Sequence, residues 1–253
     1  MKDRSDFHEA ASPLPADRRQ LGLDDLGAEQ GEQEGRTGAS LSDTARVRFL
    51  EALFERRLQP GAFVSQGELV KLLNIPVGPL RDALRVLQTE GWLTIHARSG
   101  IELRKPDFDL VRHSYQLRLV LERAAVRSFA EMAPRSQIDA LEAQHRTIIA
   151  DVEGRDLSVQ QAREIERIDW AFHLEVIGVL KNPMIDRSYQ QAQSFVHLIR
   201  LDREYRLSWP MVIRTMNEHL AIINACSARD AIAAEAALET HFAQAMQRAI
   251  GFY

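Results

Sequence analysis

The sequence predicts a mainly α-helical protein in which an N-terminal winged helix-turn-helix is followed by an antiparallel six-helix bundle. Two observations support this prediction. Three helical segments and a hairpin follow one another within residues 42–104, and six amphipathic segments separated by short breaks fill residues 105–253. Residues 1–41 have no sustained hydrophobic period and are rich in Gly, Asp, Glu, Gln and Pro, so we expect a mobile N-terminal arm there.

The composition limits the class of protein. Apolar residues make up 45% of the 253, enough for a buried core, and 27% are charged, as in ordinary soluble proteins. Cys226 is the only cysteine, which excludes an internal disulfide framework and a cysteine-rich zinc site. The apolar runs are far shorter than the roughly 18 residues that span a bilayer. No secretory signal is recognisable, so we expect a cytoplasmic protein without a membrane partner.

The net charge of −4 is distributed unevenly along the chain. Residues 44–105 carry 10 basic and 6 acidic side chains, a net charge of +4, whereas residues 1–43 carry −5 and residues 106–253 carry −3. A basic segment between two acidic ones indicates a small domain that meets a polyanion.

The elements of the winged helix follow from turn and capping signals. The first helix begins at Ser42 or Thr44 and ends before a turn at Pro60-Gly61. The second covers 65–74 and has a capping box of Ser65 and Glu68. The third begins near Gly78-Pro79 and ends at Gly91, and "WLTIH" and "IELR" then form a two-stranded hairpin around the turn at 97–100.

A winged helix lays its third helix in the major groove of DNA, while the wing approaches a phosphate strand or the minor groove. Arg81 and Arg85 share one face of the third helix, and Arg98 lies at the wing tip, so each could clamp a phosphate or bind guanine. A solvated basic face is the alternative for any one arginine. The predicted DNA-contacting residues are Gln66, Gly78, Arg81, Arg85, Arg98 and Gly100.

The C-terminal half predicts six helices with short connections. Their breaks fall at Ala133-Pro134, Gly154, Asn182-Pro183, Trp209-Pro210 and Ser227 to Asp230. The segments cover about 107–132, 135–152, 158–180, 183–205, 209–226 and 229–250.

The third of these helices carries Asp169 and His173, four residues apart on a largely apolar face. Alone, such a pair is most often a hydrogen-bonded helix pair. His219 and His241 occupy apolar stripes of two consecutive helices at similar heights from the turn between them. Three imidazoles and a carboxylate that converge in a bundle suit Zn²⁺, with Ni²⁺, Co²⁺ or Mn²⁺ as alternatives. His145 also falls on an apolar stripe, and we interpret it as a core or partner-face histidine.

The N-terminal segment resembles the DNA-binding domain of GntR-type bacterial transcription regulators. The matching pieces are the Leu-x-Pro-Gly turn, the Glu68-Leu69 pair, "PLRDAL" and "EGWL", within residues 44–104. The family usually opens its recognition helix with Ser/Thr-Arg, where this chain has Pro76-Val77. The departure affects which operator sequence is read, while DNA binding itself is still implied.

The C-terminal segments "DWAFHLEVIGVLKNPMI", "NEHLAIINACSARDAIAAEAALETHF" and "YQLRLVLERAAV" resemble the FCD ligand-binding domain of the FadR-like branch of that family. Six helices instead of seven indicate the VanR-like subgroup. The resemblance implies that Asp169, His173, His219 and His241 bind a metal ion. It also implies that Arg118, in "RLVLE", faces a bound carboxylate, and we assign Gln193 to the same effector site.

These patterns predict a metal-containing, metabolite-responsive transcription regulator and not an enzyme. We expect a repressor that binds a palindromic operator as a homodimer and is released by a small carboxylate-bearing effector. The metal could instead be mainly structural. The alternative from another class is a metal-dependent hydrolase that uses the Asp/His site with Glu175 or Glu122 as general base.

Overall fold

The computed structural model describes residues 40–202 and 207–251. These residues form two compact units, divided between Arg104 and Lys105. Except for residues 40 and 41, the arm predicted for residues 1–41 lies outside the described residues. The structure confirms the mainly α class, with a winged helix-turn-helix followed by a helical bundle.

The N-terminal unit begins with a capped helix. Ser40 caps the first turn and forms a capping box with Asp43, so helical order starts slightly before the predicted Ser42 or Thr44. The predicted capping box of Ser65 and Glu68 is confirmed, with the Ser65 N–H donating to Glu68 Oε2 at 2.7 Å. The helices of this unit are α1 (Leu41–Phe54), α2 (Gln66–Leu73) and α3 (Val77–Thr89), and its strands are β1 (Phe63–Val64), β2 (Leu93–His96) and β3 (Gly100–Leu103).

Strands β2 and β3 form the predicted hairpin, and a third strand extends the sheet in the order β1-β3-β2, with all neighbours antiparallel. The additional strand, β1, pairs Phe63 with Glu102 and Val64 with Ile101. The prediction missed it because two residues are too few to show a strand periodicity. β1 joins α1 and α2 to the wing.

The C-terminal unit consists, in its described part, of six helices. Their ends agree with the predicted segments to within two residues, apart from the end predicted at residue 205, which lies outside the described residues. These helices are α4 (Phe108–Met132), α5 (Arg135–Val152), α6 (Val159–Gly178), α7 (Pro183–Asp202), α8 (Trp209–Ser227) and α9 (Ala231–Ile250). Across the described residues, no helix combines the length and apolar character needed to cross a membrane.

The bundle core positions the polar residues discussed below. Helix α9 packs along α4 and α8, α5 packs along α8, and α4 also contacts α6 and α7. Fully buried Phe172, Tyr189 and Ile222 belong to one apolar cluster of this unit. Within it, α6, α8 and α9 each bring a histidine to the same region, because each of these histidines interrupts the apolar stripe of its helix.

Candidate functional site

Three buried histidines meet inside the C-terminal unit. His173 on α6, His219 on α8 and His241 on α9 are 2%, 0% and 5% exposed. Each offers one ring nitrogen, and the three nitrogens lie within 4.8 Å of one another. The structure therefore brings together the three histidines for which the sequence predicts metal binding.

Asp169 lies one turn earlier on α6 and approaches His219, but it is not among the residues whose ligand atoms all lie within 4.8 Å of one another. Its Oδ1 lies 3.5 Å from His219 Nε2, and its Oδ2 accepts hydrogen bonds from both terminal nitrogens of Arg200 at 3.2 Å. Burial raises the pKa of the Asp169 carboxyl, but the lowering effect of the nearby Arg200 and His173 is larger. The pKa of Asp169 therefore lies below its ordinary value. Asp169 is thus a carboxylate with one oxygen held by Arg200 and the other directed toward His219.

Two of the histidines are oriented by carboxylates on neighbouring helices. His173 Nδ1 is 2.6 Å from Glu122 Oε2, and His241 Nδ1 is 2.8 Å from Glu218 Oε2. A carboxylate only accepts hydrogen bonds, so we assign the proton of each imidazole to Nδ1. Each ring then directs the lone pair of Nε2 away from its carboxylate, which is the usual arrangement of a histidine that binds a metal through Nε2.

The third histidine is oriented by His145 on α5. His145 Nδ1 donates to the Leu141 carbonyl at 2.7 Å, so its Nε2 is free to accept from His219 Nδ1 at 3.1 Å. Burial lowers the pKa of both imidazoles, His219's well below its ordinary value, which favours the neutral forms that this chain of hydrogen bonds requires. His145, interpreted from the sequence as a core or partner-face histidine, is fully buried and also orients His219.

The remaining ring nitrogen, His219 Nε2, is buried and has no hydrogen-bond partner in the described part of the chain. An unsatisfied buried acceptor is costly, and a metal ion would satisfy it. Three imidazole nitrogens and one carboxylate oxygen are donors that Zn²⁺ accepts, as do Ni²⁺, Co²⁺ and Mn²⁺. The residues present fit a divalent metal ion.

A small cavity of about 50 Å³ opens beside this cluster. Arg118, predicted to face the effector, lines it, and its guanidinium also donates to Glu122 Oε1 through Nε and Nη2 at 3.1 and 3.0 Å. Gln193, predicted for the same site, is 3% exposed and does not line this cavity. Its side-chain amide has no hydrogen-bond partner among the described residues.

The predicted DNA-contacting residues lie on α2, on α3 and in the wing, and two of them are in contact. Leu80, Leu84 and Leu87 bury the inner face of α3, which leaves Arg81 and Arg85 exposed on the opposite face. Arg81 Nε lies 3.4 Å from Gln66 Oε1 at the start of α2, so these two predicted residues are brought together. An exposed pair of arginines one turn apart is available to phosphates or base edges.

The two predicted glycines differ in their structural surroundings. A side chain at Gly78 would meet nothing within 4 Å, so the packing of this unit does not require a glycine there. Gly100 has φ +120°, and a Cβ would lie 3.2 Å from the Val64 carbonyl oxygen. This backbone conformation accounts for Gly100 by itself. Arg98, at φ +68°, is exposed in the turn between β2 and β3.

Comparison with protein families explains why these two sites occur in one chain. The FCD domain family matches residues 113–244, just over half of the chain, and the family described as bacterial regulatory proteins, gntR family, matches residues 41–103. The chain belongs to the GntR family and carries an FCD domain. The finer VanR-like assignment stays a prediction.

Curated relatives of this GntR-family regulator are transcription regulators. The Nta operon transcriptional regulator of Aminobacter aminovorans is 27% identical over 193 residues, which cover 75% of this chain and 87% of that protein. The transcriptional repressor NanR of Citrobacter rodentium is 25% identical, with 70% of this chain and 72% of that protein covered. The regulator LutR of Bacillus subtilis is 24% identical, with coverages of 78% and 95%.

Solved structures show the same fold as this GntR-family regulator. Escherichia coli McbR/YncC superposes with a TM-score of 0.64 at 15% identity, over 85% of this chain and 99% of that one. A GntR-type transcriptional regulator of Rhodococcus sp. RHA1 superposes with a TM-score of 0.62 at 20% identity, over 84% and 99%.

The hydrolase alternative finds no support in these families, and the proposed bases of this GntR-family regulator are occupied. Glu122 is held between Arg118 and His173, and exposed Glu175 accepts a hydrogen bond from Gln137 at 3.0 Å. Sequence reasoning missed the orienting roles of five residues: His145 as a partner of His219, Glu122 as a partner of His173, and Arg200, Glu218 and Arg248. Position 248 continues the stripe of His241 and Ala245 at helical spacing, a signal that could have revealed it.

Proposed function

We propose that this GntR-family protein is a metal-containing regulator whose DNA binding responds to a small carboxylate-bearing metabolite. The observation that supports it most is the buried His219 Nε2, which faces Asp169, His173 and His241 without a hydrogen-bond partner in the described residues. Burying three imidazoles and a carboxylate together costs free energy unless a bound group compensates them.

In this proposal Asp169, His173, His219 and His241 hold a divalent ion, with Zn²⁺ fitting best. When bound, the ion supplies a positive charge that attracts an effector carboxylate. Arg118 lines the same cavity and supplies a charge-assisted hydrogen bond to that carboxylate. Gln193 stays a predicted effector contact. A mainly structural ion, tying α6, α8 and α9 together, is the alternative role.

The effector acts by favouring one arrangement of the DNA-binding domains over another, since a ligand shifts only an equilibrium whose states it binds unequally. We propose a homodimer that presents two recognition helices to a palindromic operator. NanR, one of the relatives, is named a repressor, and we propose the same direction of control here. Because its target is DNA, we propose that the protein acts in the cytoplasm.

An Arg81→Ala, Arg85→Ala variant is expected to bind operator DNA at least about 30-fold more weakly than the wild type. Each exposed arginine is worth about 1–3 kcal/mol when it contacts a base or phosphate. An electrophoretic shift assay on the DNA upstream of the chain's own gene, at one stated salt concentration, measures the change.

The matched control for this test is Arg123→Ala, Arg127→Ala on α4. This pair has the same spacing and is about half exposed, but it forms ion pairs with Glu235 in the C-terminal unit. We expect wild-type DNA binding from the control. Undiminished binding by the α3 variant contradicts the proposed DNA-contacting face.

Replacing His145 is expected to weaken metal binding although His145 is not a ligand. A His145→Phe variant keeps a buried ring but removes the acceptor that orients His219 Nδ1. Loss of such an outer partner typically lowers metal affinity about 10–100-fold. Competition with a chromophoric chelator measures it, with exposed His113→Phe as the control. Equal affinities of wild type and His145→Phe would show that His219 needs no orienting partner.

A further inference from the structure

Val77 is an exposed apolar residue at the first position of α3. Its side chain is 45% exposed, although Ile75 before it and Leu80 after it are buried. Single exposed valines are common on protein surfaces and need no explanation. Val77 is different because the exposed residues that follow it on the helix include Arg81 and Arg85, which we propose contact DNA.

The backbone at the start of α3 is held in place by the rest of the DNA-binding unit. Arg48 of α1 donates through Nη1 to the carbonyl oxygens of Leu73 and Asn74, at 2.9 and 3.2 Å. Ile75, in the turn between α2 and α3, is 3% exposed and anchors this turn in the core. Val77 is therefore presented at a fixed position, as a residue that distinguishes between bases requires.

Val77 and Arg81 are one helical turn apart and lie on neighbouring parts of the helix surface. Arg81 Nε in turn lies 3.4 Å from Gln66 Oε1 at the start of α2, so the valine continues the surface formed by these two residues. A Cβ at Gly78 would meet nothing within 4 Å. A glycine that packing does not require lowers helix stability, but it leaves room for DNA to approach the helix start closely.

The chemistry of valine restricts which base it can favour. In the major groove, the C5-methyl of thymine is the one apolar group that a base presents, whereas the other base edges carry hydrogen-bond donors and acceptors. A valine side chain gains free energy by burying that methyl group. It disfavours the other bases, because it leaves their polar edges without a hydrogen-bond partner. The N-terminal residues of a recognition helix are the ones that contact base edges.

We propose that Val77 selects a thymine in each half-site of the operator by packing its side chain against the C5-methyl group. Arg81, one turn further along the helix, contacts the neighbouring base or phosphate. This inference rests on the DNA-contacting face of the proposed function. It deepens that function by naming one base of the operator and the residue that recognises it.

Selection of binding sites from a random library of duplex DNA measures the preference. We expect the full-length wild type to enrich thymine at one position of each half-site. A Val77→Ala variant is expected to lose the preference at that position alone, by about fourfold, the effect of burying one methyl group. The same preference at every position in wild type and Val77→Ala contradicts the proposal.

Val86→Ala is the matched control for this selection. Val86 lies on the same helix and is also 45% exposed, but nine positions later it lies on the opposite side of the helix from Val77. We expect this variant to select the wild-type sites. Alanine has a higher helix propensity than valine, so both variants are expected to fold, which thermal unfolding checks. Loss of the same thymine preference in Val86→Ala would show that the effect does not come from Val77.

Deoxyuridine tests the contact itself, because it lacks the methyl group of thymine and pairs in the same way. The probe is the most strongly enriched sequence, with the selected thymine replaced in one half-site. We expect the wild type to bind this probe about fourfold more weakly than the thymine probe, and Val77→Ala to bind the two equally. Equal binding of both probes by the wild type, or an undiminished difference in Val77→Ala, contradicts the proposal.

The Arg81→Ala, Arg85→Ala variant separates this inference from the proposed function. If that variant binds the selected site weakly while the wild type does not distinguish thymine from uracil, only the role of Val77 is refuted. If the variant binds as tightly as the wild type, or if the wild type enriches no sequence, the DNA-contacting face itself is refuted.

Discussion

An Arg118→Met variant is expected to lower the free energy of unfolding of the C-terminal unit by about 3–5 kcal/mol, because it breaks a buried ion pair. Arg118 and Glu122 are 4% and 0% exposed, and two hydrogen bonds join them. Without the guanidinium, Glu122 stays buried and keeps the hydrogen bond from His173 Nδ1, but it loses its cationic partner. Denaturant unfolding followed by circular dichroism measures the loss.

Two further variants distinguish this cause from a loss of packing. Replacing both partners, Arg118→Met with Glu122→Leu, is expected to recover part of the lost stability, because no uncompensated charge remains. Arg123→Met removes an exposed arginine of the same helix and is expected to leave stability nearly unchanged. If the double variant is no more stable than Arg118→Met, the destabilisation comes from packing and not from the buried charge.

Metal binding is expected to stabilise the C-terminal unit against unfolding. Zn²⁺ at a hundred times its dissociation constant adds about 2.7 kcal/mol, provided that the unfolded chain binds it weakly. For a unit of this size, that gain raises the unfolding temperature by about 5–10 °C relative to protein in excess chelator. Thermal unfolding monitored by circular dichroism gives both temperatures.

A His219→Ala, His241→Ala variant is expected to lose this response, since two of the four donors are gone. His113→Ala removes an exposed histidine of α4 and is expected to respond as the wild type does. A rise in unfolding temperature of equal size in the double variant would mean that Zn²⁺ acts at some other place.

Local signals in the sequence were sufficient for most of the fold. The capping box of Ser65 and Glu68 and the prolines at 134, 183 and 210 mark helix starts that the structure places within two residues of prediction. The strand Phe63–Val64 was missed because its only evidence is pairing with β3, almost 40 residues later in the chain. Pairing at that distance leaves no local periodicity.

The predicted residues of the site have a local signal in the sequence, whereas the residues that were not predicted act through contacts between helices. His173, His219 and His241 were found because each interrupts an apolar stripe, which is visible within one helix. The residues that orient them act across helices: Arg200 reaches Asp169 over 31 positions, and His145 reaches His219 over 74. Such pairs depend on which helices are neighbours, and a single sequence does not specify that.

The spacing of Arg118 and Glu122 in the sequence does not decide between two roles for the arginine. The resemblance implied an arginine that faces a bound carboxylate, and the i to i+4 spacing alone allows either an ion pair or an available arginine. In the structure Arg118 both lines the cavity and pairs with Glu122, so that one buried carboxylate connects a residue of the cavity to His173. We therefore expect changes at Glu122 to affect both sites.

The metal content of the purified protein tests the proposed metal centre most directly. Elemental analysis of the wild type and of the His219→Ala, His241→Ala variant, prepared in the same way, gives the number of divalent ions per chain. We predict close to one ion per chain in the wild type and close to none in the variant. Equal metal content in the two proteins, or none in the wild type after incubation with Zn²⁺ and removal of the excess, contradicts the proposed metal centre.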